Sequence, residues 1–158
     1  MDKAVLHIEI VDRKDVPNDL LELADPSRAL IDSYLEVGKC YVASSESKTV
    51  GVIVLKDIDQ STIEIKNLAV RESDQGKGIG TELLRHAEKT SVEQGYNKLV
   101  IGTGNSSVSQ LGLYQKVGFE VDRIDKNFFI RNYKEPIFEN GIQCKHMIFL
   151  EKNLKNWR

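Results

Sequence analysis

The stretch "VRESDQGKGIGTELL", residues 70–84, carries the clearest chemical signal in the chain. Three glycines, Gly76, Gly78 and Gly80, fall within five residues, directly before an apolar pattern typical of a helix. The first turn of a helix has backbone N–H groups without intrahelical partners and a partial positive charge, so it attracts phosphate. Glycine there lets the backbone approach a bulky anion closely and adopt positive φ. The stretch therefore has the context that a phosphate site requires.

Taken alone, the glycine pattern leaves several functions open. A Walker A loop requires G-x-x-x-x-G-K-[ST], and no segment of the chain fits it. A dinucleotide fingerprint requires G-x-G-x-x-G, whereas the spacing here is G-x-G-x-G, and the following strand offers no acidic residue for a ribose. An ordinary flexible loop is the third interpretation.

The strand before the glycines, "TIEIKNLAV" at residues 62–70, has an irregular alternation. Ile63 and Ile65 are apolar at odd positions, but Leu68 and Val70 are apolar at even positions. A shift of one residue would turn the apolar set to the wrong face of a sheet, unless a β-bulge adds one residue near position 66. The alternative is one misplaced side chain in a strand buried on both faces. A bulge would separate this strand from its neighbour and free backbone groups for other partners.

The remaining patterns predict the elements that hold these features. Proline disfavours the helical region for the residue before it, so Asp25-Pro26 divides the first helical block in two. The predicted helices lie within residues 15–38 (two), 78–95 and 106–118, and the predicted strands lie at 6–11, 39–45, 49–57, 61–70, 97–104, 119–133 and 142–152, with a loop at 134–141. The order β-α-α-β-β-β-α-β-α-β-β predicts one α+β domain with a mixed sheet over residues 1–158.

Composition narrows the classes of partner. The hydrophobic fraction is 41%, the charged fraction 29% and the formal net charge −2, so nothing favours nucleic acid or a membrane surface. No apolar run approaches the length of a membrane span, and the first residues lack a signal-peptide pattern. Cys40 and Cys144 predict a reduced pair in a cytoplasmic protein. The three histidines have no metal-ligand spacing, so we expect no metal.

Four segments together, residues 63–70, 70–84, 99–107 and 113–120, resemble the GNAT superfamily, the GCN5-related N-acetyltransferases. The family signature Q/R-x-x-G-x-G/A and the later asparagine and "LY-x-x-x-GF" segment are met by Gln75, Gly78, Gly80, Asn105, Leu113, Tyr114, Gly118 and Phe119. The match is strong over residues 61–120 and weak over the whole chain. It implies the GNAT fold, with a mixed, mostly antiparallel central sheet and helices on both faces.

The resemblance implies acetyl-CoA as a cosubstrate, with its pyrophosphate on the amides of residues 75–81. Lys77 would add positive charge beside the pyrophosphate, or it is a surface lysine in contact with solvent alone. The pantetheine arm would pair like a strand with the backbone of residues 68–70, and Asn105 would contact the arm, cap a helix, or do both. The cofactor-binding residues implied are Leu68, Ala69, Val70, Gln75, Gly76, Lys77, Gly78, Ile79, Gly80, Thr81 and Asn105.

Acetyl transfer to an amine also needs an acid, an oxyanion donor and a base. Tyr114 matches the family tyrosine that faces the CoA sulfur, and a phenol stays protonated at working pH. The alternative is a core tyrosine packed with Leu111 and Phe119. The backbone N–H of Val70 or a neighbour is the implied oxyanion donor. Glu64 matches a position where some members carry a base acting through water, although a surface glutamate is the simpler interpretation. Val100 stands where other members carry an acidic residue, which disfavours an N-terminal peptide acetylase of that type.

The implied function is direct acetyl transfer from acetyl-CoA to a primary amine of a small molecule or peptide through a ternary complex. The alternatives are a catalytically silent acyl-CoA-binding module and a nucleotide-phosphate binder. The acceptor would lie between the early helices and the last hairpin, against an aromatic wall and acidic groups. The candidates are Tyr34, Phe129, Tyr133, Phe138, Asp32, Glu135 and Glu139. Family members are often homodimers, so a homodimer is compatible with this interpretation.

Overall fold

The structure is a computed structural model that describes residues 5–155. The first four and last three residues, which the predicted domain includes, lie outside the described residues. The elements are β1 His7–Val11, α1 Asn18–Ala24, α2 Arg28–Val37, β2 Lys39–Ser45, β3 Lys48–Asp57, β4 Thr62–Val70, α3 Ile79–Glu93, β5 Lys98–Gly104, α4 Val108–Lys116, β6 Glu120–Asp125, α5 Phe128–Asn132, β7 Ile137–Glu139, β8 Ile142–Cys144 and β9 Met147–Asn153. Two short 3-10 helices, Arg13–Asp15 and Glu72–Asp74, precede α1 and α3.

Seven strands form one sheet in the order β1-β2-β3-β4-β5-β9-β6. Strands β4 and β5 pair in parallel, and the other neighbours in this sheet pair antiparallel. Strands β7 and β8 form a separate hairpin. The predicted mixed, mostly antiparallel α+β architecture is confirmed.

Helices cover both faces of the sheet, and each face has its own apolar core. Helix α3 buries Leu83, Leu84 and Ala87 completely against one face, as their helical spacing predicts. Helices α1 and α2 bury Leu20, Leu21 and Ile31 against the other face. The break between these two helices falls at residues 25–27, as predicted, and the Ser27 hydroxyl caps α2 by accepting the N–H of Leu30.

The predicted β-bulge is present in β4. Val54 of β3 pairs with Asn67, and Leu55 pairs with Ile65, so Lys66 is the extra residue. Because of the bulge, Ile65 and Leu68 both pack on the core beneath α3. Pairing of β4 with β5 covers only Thr62–Ile65, so the two strands separate beyond the bulge.

The prediction of one strand over residues 119–133 is wrong. Strand β6 ends at Asp125, and Asn127 follows in the left-handed region with φ 63°, which asparagine tolerates better than most residues. The N–H of Asn127 donates to His146 Nδ1 at 2.9 Å, and the Arg131 guanidinium donates to the Asp125 carboxylate at 2.8 Å. These two bonds, one local and one to a distant segment, hold the turn from β6 into the helix α5.

The predicted loop at 134–141 and strand at 142–152 are also corrected. The loop contains β7, and the strand divides into β8 and β9. The division has a side-chain cause: Asn105 Oδ1 accepts the N–H groups of Lys145 and His146 at 2.8 and 2.9 Å, where a strand ladder would otherwise continue.

Candidate active site

A cavity of about 750 Å³ opens where β4 and β5 separate. It runs from the N-terminus of α3, past α4, to the segment between α1 and α2. Its lining includes ten of the predicted site residues: Leu68, Ala69, Val70, Gln75, Gly76, Gly78, Ile79, Gly80, Thr81 and Tyr114. Three other predicted residues, Glu64, Lys77 and Asn105, do not line it.

The glycine-rich loop places an open helix terminus in this cavity. Gly78 is the residue before α3, with φ 85°, and it supplies no side chain to cap the first-turn N–H groups. Gly76 has φ 79°, and a Cβ added at either glycine would meet no atom within 4 Å. Gln75 Nε2 donates to the carbonyl of Val70 at 3.0 Å, which holds the loop against the end of β4. The loop therefore offers free N–H groups to a ligand in the cavity.

The lysine of this loop is directed elsewhere. Lys77 Nζ lies 3.2 Å from the Asp74 carboxylate, and its side chain is 62% exposed. Asp74 itself lines the cavity. Lys77 thus neutralises the Asp74 carboxylate. Without this partner, Asp74 would repel an anion beside the helix terminus.

The free edge of β4 faces the same cavity. The N–H of Arg71 donates to the carbonyl of Val50 on β3 at 2.8 Å. Successive backbone N–H groups of a strand point to opposite edges, so those of Leu68 and Val70 point away from β3, towards the side where pairing with β5 has ended. The bulge thus exposes two backbone donors to the cavity.

Tyr114 lies on α4 and is 5% exposed. Burial raises the pKa of its phenol to about 12. The centroid of the Tyr114 ring lies 6.2 Å from that of the Phe119 ring, so the tyrosine packs against the residue that precedes β6. A neutral hydroxyl that lines the cavity can donate a hydrogen bond to a developing anion.

Glu64 lies on β4 before the bulge, opposite Val100 of β5. Its side chain is 15% exposed, and its carboxylate lies 3.5 Å from Lys66 Nζ. Lys66 lines the cavity. The structure therefore puts the Glu64 carboxylate next to Lys66, a lining residue, while Glu64 itself is outside the lining.

Asn105 has a structural set of partners. Besides its two bonds to residues 145–146, its Nδ2 donates to the carbonyl of Gln143 at 3.1 Å. Ser107, not Asn105, is the residue before α4, and it makes no side-chain capping bond. Asn105 therefore ties the start of β9 to the end of β5, and its side-chain amide is occupied.

A buried polar network closes the other end of the cavity. Asp25 is 9% exposed and accepts hydrogen bonds from Tyr133 at 2.8 Å and from Tyr34 at 3.3 Å. Asn67 Nδ2 donates to the Tyr34 hydroxyl at 2.9 Å. Burial, then the Asp25 carboxylate, raises the pKa of Tyr133 well above its usual range, and burial does the same for Tyr34. The bond from Tyr133 joins the segment after α5 to the α1–α2 connection across the cavity.

Sequence reasoning missed two members of this network. Asp25 stood out only as the residue before a proline, and Asn67 only as a neighbour of the bulge. No local pattern marks either one as a site residue. Asp25 also accepts the N–H of Ser27 nearby, but the bond across the cavity comes from Tyr133, 108 positions away, and the Leu21 carbonyl that Asn67 binds lies 46 positions away.

The structure brings some of the residues predicted for an acceptor wall to the cavity and leaves others outside it. Phe129, Tyr133 and Glu139 line the cavity. Glu139 accepts from Ser107 Oγ at 2.9 Å, which joins the β7–β8 hairpin to the start of α4. The other candidates do not line the cavity: Tyr34 is a buried member of the network, Asp32 pairs with Arg28 at 2.8 Å, and Phe138 and Glu135 are exposed.

The charge of the cavity lining is mainly negative. The carboxylates are Glu22, Asp25, Asp74 and Glu139, against one lysine, Lys66. Residues 5–155 contain no group of three or more His, Cys, Asp or Glu side chains placed to hold a metal ion. Cys40 and Cys144 are both free, as predicted. In the same range, no helix combines the length and apolar character needed to cross a membrane.

Comparison with known proteins agrees with this geometry. The model of the acetyltransferase (GNAT) family matches residues 10–119. An uncharacterised N-acetyltransferase of Bacillus subtilis, YvbK, is 47% identical over 155 residues, which cover 98% of this chain and 100% of that protein. The chain therefore belongs to the GNAT acetyltransferase family, and it is an acyltransferase.

Two solved structures are similar over nearly the whole chain. An IAA acetyltransferase from Bacillus cereus has 48% identity and a TM-score of 0.92, with 94% of this chain and 99% of that chain covered. A GNAT family acetyltransferase from Elizabethkingia anophelis, solved with acetyl-CoA bound, has 49% identity and a TM-score of 0.91, with 94% and 97% covered. These similarities confirm the predicted GNAT fold.

Proposed function

We propose that residues 1–158 form one N-acetyltransferase domain that moves an acetyl group from acetyl-CoA to a primary amine of a small molecule or peptide. One observation carries this proposal. A single cavity joins the open terminus of α3, the free edge of β4 and the hydroxyl of Tyr114, and ends at an acidic, aromatic wall. The helix terminus, the strand edge and the tyrosine hydroxyl suit the parts of acetyl-CoA, and the acidic, aromatic wall suits an amine.

The donor half of the cavity suits the chemistry of CoA. Its pyrophosphate would lie on N–H groups within the predicted range 75–81, where the helix terminus favours negative charge. The N–H of Gln75 already donates to the Glu72 carbonyl at 3.3 Å, so the donors would be those of residues 76–81. The two amides of its pantetheine arm would pair with the backbone of Leu68 and Val70, as an added strand does. Acetyl-CoA bound to the Elizabethkingia anophelis relative supports this choice of cosubstrate.

The reaction proceeds by attack of the neutral amine nitrogen on the thioester carbon. The new C–N bond places negative charge on the carbonyl oxygen. Of the two N–H groups at the free edge of β4, those of Val70 and Leu68, the one that the pantetheine arm does not use would stabilise this charge. The C–S bond then breaks, the proton of Tyr114 would go to the leaving sulfur, and the phenolate would take back a proton from water. At a pKa of about 12, Tyr114 holds that proton at any working pH.

The amine must also lose a proton. Glu64 would take it through water, at the cavity wall beside Lys66. A chain of water molecules to solvent would serve equally, because the carboxylate is not itself a lining group. The negative lining of the acceptor half favours a cationic amine, which binds charged, loses one proton before the attack and loses a second from nitrogen after the C–N bond has formed.

The test is a panel of primary amines with acetyl-CoA: 2-phenylethylamine, spermidine, ethanolamine, L-lysine and a short peptide with a free N-terminus. Thiol release gives the rate, and mass spectrometry identifies the acetylated product. We expect at least one N-acetylated amine, and a cationic amine with an aromatic body to react best. Binding of acetyl-CoA with no acetylated product would support the silent acyl-CoA-binding module instead, and stronger thermal stabilisation by ATP than by acetyl-CoA would support a nucleotide binder.

A further inference from the structure

The carboxylate of Glu139 has one oxygen held by the protein and one oxygen free. Oε1 accepts the hydroxyl of Ser107 at 2.9 Å and that of Ser106 at 3.3 Å. Within residues 5–155, no hydrogen bond or ion pair involves Oε2. Glu139 is half-buried, and the fully enclosed side-chain atoms without a partner in this range belong to other residues, so Oε2 retains accessible surface.

The β7–β8 hairpin turns the face that carries Glu139 towards the cavity. Ile137 and Glu139 both line the cavity, whereas Phe138 between them is 63% exposed and does not. Successive side chains of a strand point to opposite faces, so Ile137 and Glu139 share the inward face. Ser107, which holds Oε1, lines the cavity as well. The free oxygen of Glu139 is therefore at the wall of the cavity.

The other carboxylates of the lining already have partners on the protein. Glu22 lies 3.7 Å from the Arg28 guanidinium, and Asp74 lies 3.2 Å from Lys77 Nζ. Asp25 accepts a tyrosine hydroxyl on each of its two oxygens. Among the lining carboxylates, within the described range, the one on the hairpin alone both faces no basic side chain and keeps an oxygen free.

Glu139 and Tyr114 belong to opposite ends of α4. Ser107 directly precedes α4, and Tyr114 follows seven positions later, so their Cα atoms lie about 10 Å apart along the helix. The Tyr114 ring packs beside Phe119, beyond the last residue of α4. A cation bound at Glu139 is therefore distinct from the nitrogen that would react beside Tyr114.

The wall near Glu139 suits the apolar body of such an acceptor. The rings of Phe129 and Tyr133 lie 5.3 Å apart, and both line the cavity together with Ile137. An acceptor that fits all of these features has an amine at one end, an apolar body, and a second cationic group at the other end.

We infer that Glu139 Oε2 binds a second cationic group of the acceptor, one that stays charged while the other amine is acetylated, so that diamines are the preferred substrates. This inference rests on the proposed function. A glutamate is ionised at neutral pH, and its hydrogen bond to an ammonium group is charge-assisted and stronger at a half-buried site than in water. Glu139 binds the distal group and takes no proton from the reacting amine.

The experiment uses two probes of nearly equal shape, 1,4-bis(aminomethyl)benzene and 4-ethylbenzylamine, in which an ethyl group replaces one aminomethyl group. The variant is Glu139→Gln, which removes the charge but keeps an oxygen that the two serine hydroxyls can donate to. The matched control is Glu36→Gln, because Glu36 is exposed on α2 and lies outside the cavity lining. The measurements are kcat/KM for each probe, its affinity for the CoA complex by calorimetry, and the affinity of the free protein for acetyl-CoA.

We expect the parent to prefer the diamine about ten- to hundredfold in kcat/KM and in affinity, after allowance for its two equivalent amines; this is the effect of one charge-assisted hydrogen bond. Glu139→Gln should lose most of that preference through a higher KM for the diamine, with kcat/KM for the monoamine within twofold of the parent. Glu36→Gln should keep the preference, and both variants should bind acetyl-CoA within twofold of the parent.

Several results would overturn the inference. A parent that does not prefer the diamine, a comparison that needs no variant, would show that no second cation is bound. Equal losses for both probes in Glu139→Gln would show a structural role or a contact with the reacting amine. A loss of acetyl-CoA affinity would assign Oε2 to the cofactor, and an equal effect of Glu36→Gln would reduce the role to net charge.

Failure of the proposed function is a separate result. If the parent acetylates neither probe, the proposed transfer fails for these amines, and calorimetry with the CoA complex still decides the role of Glu139. A diamine preference that Glu139→Gln removes would uphold that role, and no preference would overturn it. A parent that binds neither probe overturns the inference as well.

Discussion

Replacement of Gly78 by alanine tests whether the open terminus of α3 is the phosphate site. Gly78 has φ 85°, and a Cβ there meets no atom within 4 Å. Gly95, just beyond the other end of α3, has φ 89° and equally open surroundings. The helix spans 15 residues, or about 22 Å, so Gly95 is remote from the cavity. The two glycines are thus a matched pair that differs in position alone.

The structure gives a magnitude for each effect. Left-handed backbone costs a non-glycine residue about 1–2 kcal/mol, so both Gly78→Ala and Gly95→Ala should lower the free energy of unfolding by this amount. In a chain of this size, the melting temperature should fall by roughly 2–8 °C in both variants. The methyl group at position 78 also projects into the cavity, and loss of one charge-assisted hydrogen bond there would weaken acetyl-CoA binding about ten- to hundredfold.

The assays are thermal unfolding and calorimetric titration with acetyl-CoA. We expect equal losses of stability, but a loss of acetyl-CoA affinity in Gly78→Ala alone. Gly78→Glu should abolish binding, because a like charge about 4 Å from a phosphate oxygen costs roughly 4 kcal/mol at an effective dielectric constant near 20. Unchanged affinity in Gly78→Glu would refute the phosphate site at α3.

Three further predictions follow from the buried side chains. Tyr114→Phe should lower kcat, measured by thiol release, about a hundredfold. Its affinity for acetyl-CoA, measured by calorimetry, should stay within twofold of the parent. An unchanged kcat would show that Tyr114 is not the acid. The pKa values of Tyr34, Tyr114 and Tyr133 are raised in the folded state, so stability should be complete below pH 10 and fall above it by up to about 1.4 kcal/mol per pH unit for each tyrosine. Denaturant titrations between pH 8 and 11 measure this fall, which Tyr114→Phe should reduce. Gly104→Ala should cost about 1–3 kcal/mol, because its Cβ would collide with Cys144 Sγ, and adding Cys144→Ala should restore part of that loss in chemical denaturation.

Local patterns in the sequence predicted the features that depend on neighbours along the chain. The shifted alternation at residues 63–70 gave the bulge, and the apolar stripe of α3 gave its buried face. Both follow from the fixed periods of strand and helix, which a single segment displays by itself. The glycines before α3 were predictable for the same reason, because the start of a helix depends on residues that are neighbours along the chain.

The missed features depend on contacts between distant segments. The strand over residues 119–133 failed because a bond from Asn127 to His146, 19 positions away, helps to turn the chain at the end of β6. Asp25 and Asn67 line the cavity, but their side chains are held there by partners far along the chain, Tyr133 and Tyr34. Nothing in a single sequence orients such partners, so the donor half of the cavity was predictable and the acceptor half was predictable only in part.

A crystal structure with CoA tests the central claim most directly. The account predicts the pyrophosphate on the backbone amides of residues 76–81, the pantetheine arm along the free edge of β4, and the sulfur within hydrogen-bonding distance of the Tyr114 hydroxyl. CoA bound outside the opening between β4 and β5, or with its sulfur turned away from Tyr114 in an otherwise occupied cavity, would contradict it.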